Sequence, residues 1–335
     1  MRFITYNILT PFLCNSTDYI DYPAEHLDRV RRKNKMLSLI GEWISGEDLP
    51  IISLQEVPFN WKGEIERQFY AKNYRFFCMN YGAKKNGFFG VAIGIPQSYK
   101  IHKVEYLLVG DYIVNNDVQK ILTYEEEQKR KKKSSLLGKI TSIIEEIVTE
   151  EDELKNIQDT ILEAKSRQNF AIRIFLQKES TSRKFAIYNY HMPCTFKKPI
   201  IQILHMDAIK RLMYDHREVP TILMADLNIT PQSNAYRYMT EGELEEGSKV
   251  YLEWKEHSYF RMESTYKKKN GAEPLFTCYC HTKYGGEFQN TIDYIMATPH
   301  FTVIDSERLL LTSTKIPNDI CPSDHIPLRA TVELI

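Results

Sequence analysis

The sequence predicts a mixed α/β protein with β-sheet at its centre and amphipathic helices around it. Short apolar runs of strand length recur along the chain, and between them lie longer stretches whose apolar residues repeat at three- and four-residue spacing. At 335 residues the chain is long enough for one large α/β domain or two ordinary ones. With no internal repeat and no Pro/Gly/Ser-rich linker to split it, the expectation is one domain over 1–335.

Strands are expected, in order, at Arg2 to Asn7, Pro50 to Gln55, Gly90 to Ile95, Phe170 to Leu176, Phe185 to Asn189, Thr221 to Ala225, Leu275 to Cys280 and Thr291 to Ala297. Each is a run of Ile, Val, Leu, Phe and Tyr too short for a helix. Helices are expected at Leu27 to Ile44, Ile200 to His216 and Ser233 to Met239, where the period changes from two to near 3.6. One segment breaks this rhythm. Residues 120–165 carry a Glu triplet, a basic run from Lys129 to Lys133 and a long charged helical pattern, which reads as a solvated helical insertion.

Composition excludes several classes. Lys+Arg of 44 balances Asp+Glu of 44, so the chain is neither a basic coat for nucleic acid nor a polybasic membrane binder, and any polyanion must be held locally. The start "MRFITYNIL" reads as a strand rather than a leader, and no membrane insertion is expected. Six scattered cysteines form no disulfide framework, so the expectation is an intracellular, reduced protein in the cytoplasm. "CYCH" at Cys278 to His281 invites a zinc reading. Without a second cysteine pair at finger-like spacing, it reads instead as two buried thiols alternating on a strand.

Polar residues interrupt the strand ends in a recurring way. Asn7 closes "ITYN", Glu56 follows "IISLQ", His191 follows "FAIYNY", Asp226 and Asn228 follow "TILMA", Asp293 sits inside "TIDYI", and Asp324 and His325 stand in "CPSDHIPL". Singly, each could serve a turn or cap. Together they form a hard carboxylate set suited to Mg²⁺ or Mn²⁺, flanked by two imidazoles and amide groups. Asp293 is the most pointed case, because an unpaired charge in an apolar strand costs several kcal/mol.

The order of these motifs resembles the endonuclease/exonuclease/phosphatase superfamily, whose landmarks "TYN", "LQE", a strand ending in His, "ADLN", "IDYI" and "SDH" all occur between Thr5 and His325. The resemblance implies a four-layer α/β sandwich, two packed mixed β-sheets flanked by helices, with the site at one rim. "TYNILTPFLC", "RVRRKNKMLSLI" and "LFTCYCHTKYGGEFQNTIDYI" look most like the deadenylase-like branch that includes the CCR4, nocturnin and angel proteins. That branch stacks adenine on an aromatic five residues before the strand aspartate, which here is Phe288. Its second base contact is a proline five residues after the histidine. Here the loop reads "HMPCTFKKP", offering Pro193 and Phe196 for that wall and Lys197 for phosphate, with Lys84, Lys85 and Lys198 as further rim cations. No leucine-rich-repeat stretch precedes the motifs, so docking to a large deadenylation scaffold is not expected.

The expected function is a metal-dependent phosphodiesterase, a 3′ exoribonuclease of the deadenylase type acting on RNA. Glu56 is expected to hold Mg²⁺, with Mn²⁺ as substitute, and Asn7 and Asp324 to face the metal or its waters. Asp226 and Asn228 would orient the attacking water and meet the phosphate. His191 would contact phosphate, and His325 would act with Asp293 as the carboxylate that fixes its ring. Two alternatives stay open: another phosphoester substrate (a DNA end, a dinucleotide or a phosphoinositide), and an inactive binding protein that keeps the fold. "ADLN" continuing as "ITPQS" weighs against the inositol branch, and His191 against the abasic-site branch, which has tyrosine there.

Overall fold

The computed structural model describes residues 1–114, 155–178, 183–245, 256–307 and 314–335, together with 248, 252 and 309. Two six-stranded mixed sheets form its centre. The first has the order β13-β14-β1-β2-β4-β3 and the second β5-β6-β7-β8-β12-β9, while β10 and β11 form a separate hairpin. The strands are β1 (Arg2–Asn7), β2 (Ile51–Val57), β3 (Tyr74–Asn80), β4 (Gly90–Pro96), β5 (Tyr99–Leu108), β6 (Phe170–Lys178), β7 (Lys184–His191), β8 (Thr221–Asp226), β9 (Glu263–Ser264), β10 (Cys278–Thr282), β11 (Gly286–Asn290), β12 (Asp293–Ala297), β13 (Phe301–Ser306) and β14 (Leu328–Leu334).

The helices are α1 (Ala24–Leu27), α2 (Arg29–Trp43), α3 (Phe59–Ala71), α4 (155–166), α5 (Pro199–Tyr214), α6 (Asn234–Thr240) and α7 (Thr265–Asn270). The helix expected from Leu27 is broken at Asp28, whose extended backbone ends α1 and whose carboxylate accepts from the amides of Val30 and Arg31 to start α2. The expected strand at Leu275 begins only at Cys278. Of the expected insertion at 120–165, 120–154 lies outside the described residues and 155–165 is helical.

Period-two alternation sorts each strand into layers. Phe3 and Ile51 of the first sheet meet Phe185, Ile187, Ile222, Met224 and Ile295 of the second in the core between the sheets. Their neighbours point outward: Ile4, Tyr6, Ile52 and Leu54 pack under α2 and α3, and Tyr188, Tyr190, Leu223 and Tyr294 pack under α5 and α6. The result is a four-layer sandwich of helices, sheet, sheet and helices. Carried to the strand ends, the same alternation sends Asn7, His191, Asp226 and Asp293 to the inter-sheet side.

Beneath that rim lies a polar bridge between the sheets. The Gln55 side-chain amide donates to Thr5 Oγ1 at 3.0 Å and to Asn189 Oδ1 of the opposite sheet at 2.8 Å. Asn189 returns two bonds to the carbonyls of Leu54 and Ala92, at 2.9 and 2.8 Å. Fully buried amides paired this way fix the register of one sheet on the other.

Candidate active site

Strand register builds the site. Asp226, last residue of β8, pairs with His191 on the parallel strand β7 and with Asp293 on the antiparallel strand β12. Three chemically active side chains thus stand side by side on one sheet. The other sheet supplies Asn7, whose amide donates to Asp226 Oδ2 at 2.9 Å and to Glu56 Oε1 at 3.1 Å, joining two carboxylates through one nitrogen.

Glu56 reaches the rim through a backbone irregularity. Regular alternation after Ser53 and Gln55 would turn it toward α3. A β-bulge between Leu54 and Val57, with Glu56 in the left-handed region at φ 56°, turns it back toward the site. The backbone amide of Thr10 then donates to Glu56 Oε2 at 2.9 Å. Such a conformation is costly for a non-glycine residue and is concentrated at functional sites. Asn228 is likewise left-handed, at φ 50°; its backbone amide donates to Asp226 Oδ1 at 2.9 Å and its side chain to the Met192 carbonyl at 2.9 Å.

The loop before β14 brings the last pair. His325 Nδ1 and Asp293 Oδ2 are 2.7 Å apart, and Thr277 Oγ1 donates to the same carboxylate oxygen at 2.7 Å. Asp293 therefore has a partner in its apolar surroundings. Asp324 Oδ2 accepts from Tyr19 at 2.7 Å, and Ser323 Oγ ties this loop to the Asn7 carbonyl at 2.7 Å. The buried Arg32 guanidinium donates to the carbonyls of Pro322, Ile8 and Leu9, clasping the loops after β1 and before β14.

The electrostatics are dominated by crowded, buried acid. Burial pushes the Glu56 carboxyl up against the pull of His191, and burial together with the Asp293 charge pushes Asp226 up. Burial opposes charge on His325, but Asp293, Asp324 and Asp226 outweigh it and hold the ring well above its ordinary value, as an imidazolium at neutral pH. His191 Nε2 lies 3.5 Å from Asp226 and 4.0 Å from Glu56.

These residues fit a hard divalent cation. Glu56, Asp226, Asp293 and Asp324 are all buried, yet among the described residues no Lys or Arg forms an ion pair with any of them, and the basic side chains within 4.0 Å of them are the imidazoles of His191 and His325. Asp293 Oδ1 is buried without a hydrogen-bond partner. Carboxylate oxygens with surplus negative charge are the donor set that Mg²⁺ and Mn²⁺ take.

At the mouth, the half-exposed ring of Phe196 and that of Phe288 lie 5.4 Å apart at 48°. Phe288 packs beside Tyr19, Cys278 and Cys280. Pro193 is buried and Lys197 exposed, while Lys198 pairs with Glu163 on α4. Tyr19, Thr277, Ser323, Arg32, Gln55 and Asn189 support the site without having been singled out by sequence reading. Thr277 and Ser323 lie within the motif segments and were findable; nothing local marks Tyr19. His205 and His257 are bonded in the core.

The sequence model of the Endonuclease/Exonuclease/phosphatase family matches residues 4–325. The chain belongs to this family. Its members hydrolyse phosphoester bonds and are typically dependent on a divalent metal. The chain is similar to 2′,5′-phosphodiesterase 12 of Bos taurus, 24% identical over 171 residues, and to that of Rattus norvegicus, 25% identical over the same length. Each match covers 47% of this chain and 27% of the relative, so the chain spans about a quarter of the length of these curated relatives. Among solved structures the fold is similar to ANGEL2, a 2′,3′-cyclic phosphatase, in complex with adenosine-2′,3′-vanadate (TM-score 0.69, 18% identity, 99% of this chain and 95% of that one). It is also similar to the human Nocturnin catalytic domain with bound sulfate (TM-score 0.63, 16% identity, 100% and 93%). These likenesses show the shared fold. Among the described residues no helix is long and apolar enough to cross a membrane.

Proposed function

We propose that the chain, working as one domain, is a metal-dependent phosphodiesterase that degrades RNA from its 3′ end, with adenylate-rich tails as preferred substrate. The observation that carries this reading is the union of two features. A buried carboxylate and imidazole cluster suited to phosphate chemistry stands at the sheet rim, and the Phe196–Phe288 ring pair lies at its mouth, suited to a terminal base.

Glu56 would hold Mg²⁺ or Mn²⁺, with Asn7 and Asp324 toward its waters. The ion would supply charge neutralisation at the phosphate and a more acidic water. Asp226, fixed by Asn7 and by the Asn228 amide, orients the attacking water and accepts its proton. The imidazolium of His325, oriented by Asp293, donates from Nε2 to a non-bridging phosphate oxygen, where charge develops. His191 Nε2 and the second amide hydrogen of Asn228 give further donors. Lys197 contacts the backbone phosphate beyond the scissile bond.

A second reading draws on the relatives. One is named a 2′,5′-phosphodiesterase and another a 2′,3′-cyclic phosphatase seen with an adenosine compound, so a small 2′-linked adenosine phosphoester is the competing substrate. Pure protein with Mg²⁺ should be incubated with labelled poly(A), mixed RNA, single- and double-stranded DNA, 2′,5′-linked oligoadenylate, 2′,3′-cyclic-ended RNA and a phosphoinositide. Release of AMP from the 3′ end of poly(A), abolished by EDTA, supports the proposal. Cleavage confined to the 2′-linked or cyclic substrates overturns it in favour of the second reading, and no cleavage of any substrate overturns both.

A further inference from the structure

Two cysteines face the candidate active site from its far wall. Cys278 and Cys280 are two apart on β10, so they share a face of the hairpin, and both are buried. Cys280 pairs across the hairpin with Phe288 of β11. Cys278 also forms an antiparallel bridge with His325, which sets their side chains next to each other. The ligand atoms of Cys278, Asp324 and His325 all lie within 4.8 Å of one another.

We propose that Cys278, Cys280, Asp324 and His325 form a second cation site, selective for a thiophilic ion of the Zn²⁺ class, and that its occupation switches the enzyme off. The donor set is two sulfurs, one carboxylate oxygen and one imidazole nitrogen, the number and kind that tetrahedral zinc takes. Sulfur excludes Mg²⁺, which takes oxygen ligands. His325 is already prepared as a ligand. Its Nδ1 is held by the Asp293 carboxylate at 2.7 Å, and its Nε2 faces Asp324 Oδ1 at 3.9 Å. A carboxylate on the far nitrogen of a metal-bound histidine is the usual supporting arrangement. Bond lengths of about 2.0–2.3 Å put tetrahedral ligands roughly 3.3–3.8 Å apart, so side-chain rotations of about an ångström close Cys278, Asp324 and His325 on the ion, and Cys280 turns further from its place on β10 to give the fourth ligand.

The chemistry balances without an oxidant. The ion takes lone pairs from two thiolates, the carboxylate and the imidazole; the two thiol protons and the Nε2 proton pass to solvent. Inhibition follows from shared residues, because the ion removes the donor proton of His325 and turns Asp324 away from the Mg²⁺ side. Thiols here read from sequence alone as core packing, and it is the approach of the loop before β14 that gives them partners.

The test uses metal binding, so it does not depend on which phosphoester the enzyme cleaves. Full-length protein, reduced and metal-free, is titrated with Cd²⁺ while the ultraviolet thiolate-to-cadmium band is followed. One ion per chain is expected. Cys278→Ser combined with Cys280→Ser should abolish the band, and Asp324→Asn should weaken binding by at least about tenfold. X-ray absorption at the zinc edge of the wild-type protein should show a sulfur shell near ~2.3 Å beside a nitrogen/oxygen shell. This reading needs no variant to fold. In activity assays with excess Mg²⁺, the double serine variant should keep turnover and need at least about tenfold more Zn²⁺ for half-inhibition. Absence of the thiolate band or of the sulfur shell, or a band that survives in the double serine variant, overturns the site. Equal Zn²⁺ inhibition of wild type and variant overturns the switch.

Discussion

His325 Nδ1 meets Asp293 Oδ2 at 2.7 Å, a contact between a loop residue and the first residue of β12 that neither could make without the other. The carboxylate fixes the ring orientation and is the largest of the influences that hold the imidazolium charged against burial. The pair should therefore behave as one unit. Asp293→Asn is expected to lower kcat/KM about as much as His325→Ala, and the double variant little further, because groups that act together lose their effect once. The check is a double-mutant cycle with melting temperatures in parallel. Losses that multiply would mean independent roles.

Glu56 separates function from stability. Glu56→Gln keeps one side-chain oxygen to accept from the Thr10 amide, gives up the acceptor that faces Asn7 Nδ2, and removes the charge that would hold the metal. Activity should fall by at least about a hundredfold. In metal-free buffer at neutral pH the same variant should melt higher than wild type, because burial raises the Glu56 pKa and its ionised form therefore costs folding energy. Calorimetry with and without Mg²⁺ tests both halves. A lower melting point without metal would mean that the ionised carboxylate stabilises the loop after β1.

Phe288→Ala should cost about 1–3 kcal/mol in discrimination for adenine ends while barely changing turnover of a base-free phosphodiester. Its ring sits 5.4 Å from that of Phe196, so the Phe196→Ala loss should be partly shared rather than additive. Equal losses on both kinds of substrate would assign the ring to packing.

The sandwich was legible where strands are buried on both faces, since runs such as Thr221 to Ala225 leave little alternative. Edge strands were not. In β5, "YKIHKVEYLL", charged side chains face solvent and hide the period-two pattern, and the edge strand β13 is hidden in the same way, as is β14 beside it inside the sheet. The site residues stood out because polar groups end apolar runs at Asn7, His191 and Asp226. What sequence could not supply was direction. Glu56 lies in the phase of the wrong face, and only the bulge aims it. Gln55 and Asn189 looked like strand residues until the packing of one sheet on the other made them each other's partners. Tyr19 reaches Asp324 across 305 positions, a contact no local pattern encodes.

Acid stability is tied to a buried histidine of the helical layer. His205, on α5, is buried with both ring nitrogens engaged: the Tyr190 hydroxyl meets Nδ1 at 2.8 Å and Nε2 meets the Ala164 carbonyl at 3.0 Å. A hydroxyl donating to Nδ1 and a carbonyl accepting from Nε2–H fix the neutral tautomer. Burial lowers its pKa from 6.5 to about 4, against the opposing Ala164 bond and with help from Arg167. The unfolded chain then binds a proton between pH 6.5 and about 4 that the folded chain refuses, so stability falls as pH falls through that window. Full loss corresponds to about 3 kcal/mol, on the order of 1.4 kcal/mol per pH step. His205→Gln can keep a bond to each partner but cannot titrate. Between pH 6.5 and 4 the wild type should lose stability to urea faster than this variant, and above pH 7 the two profiles should run parallel. Parallel profiles through the acid window as well would mean that His205 takes up its proton in the folded state and that the Tyr190 hydroxyl turns to accept it.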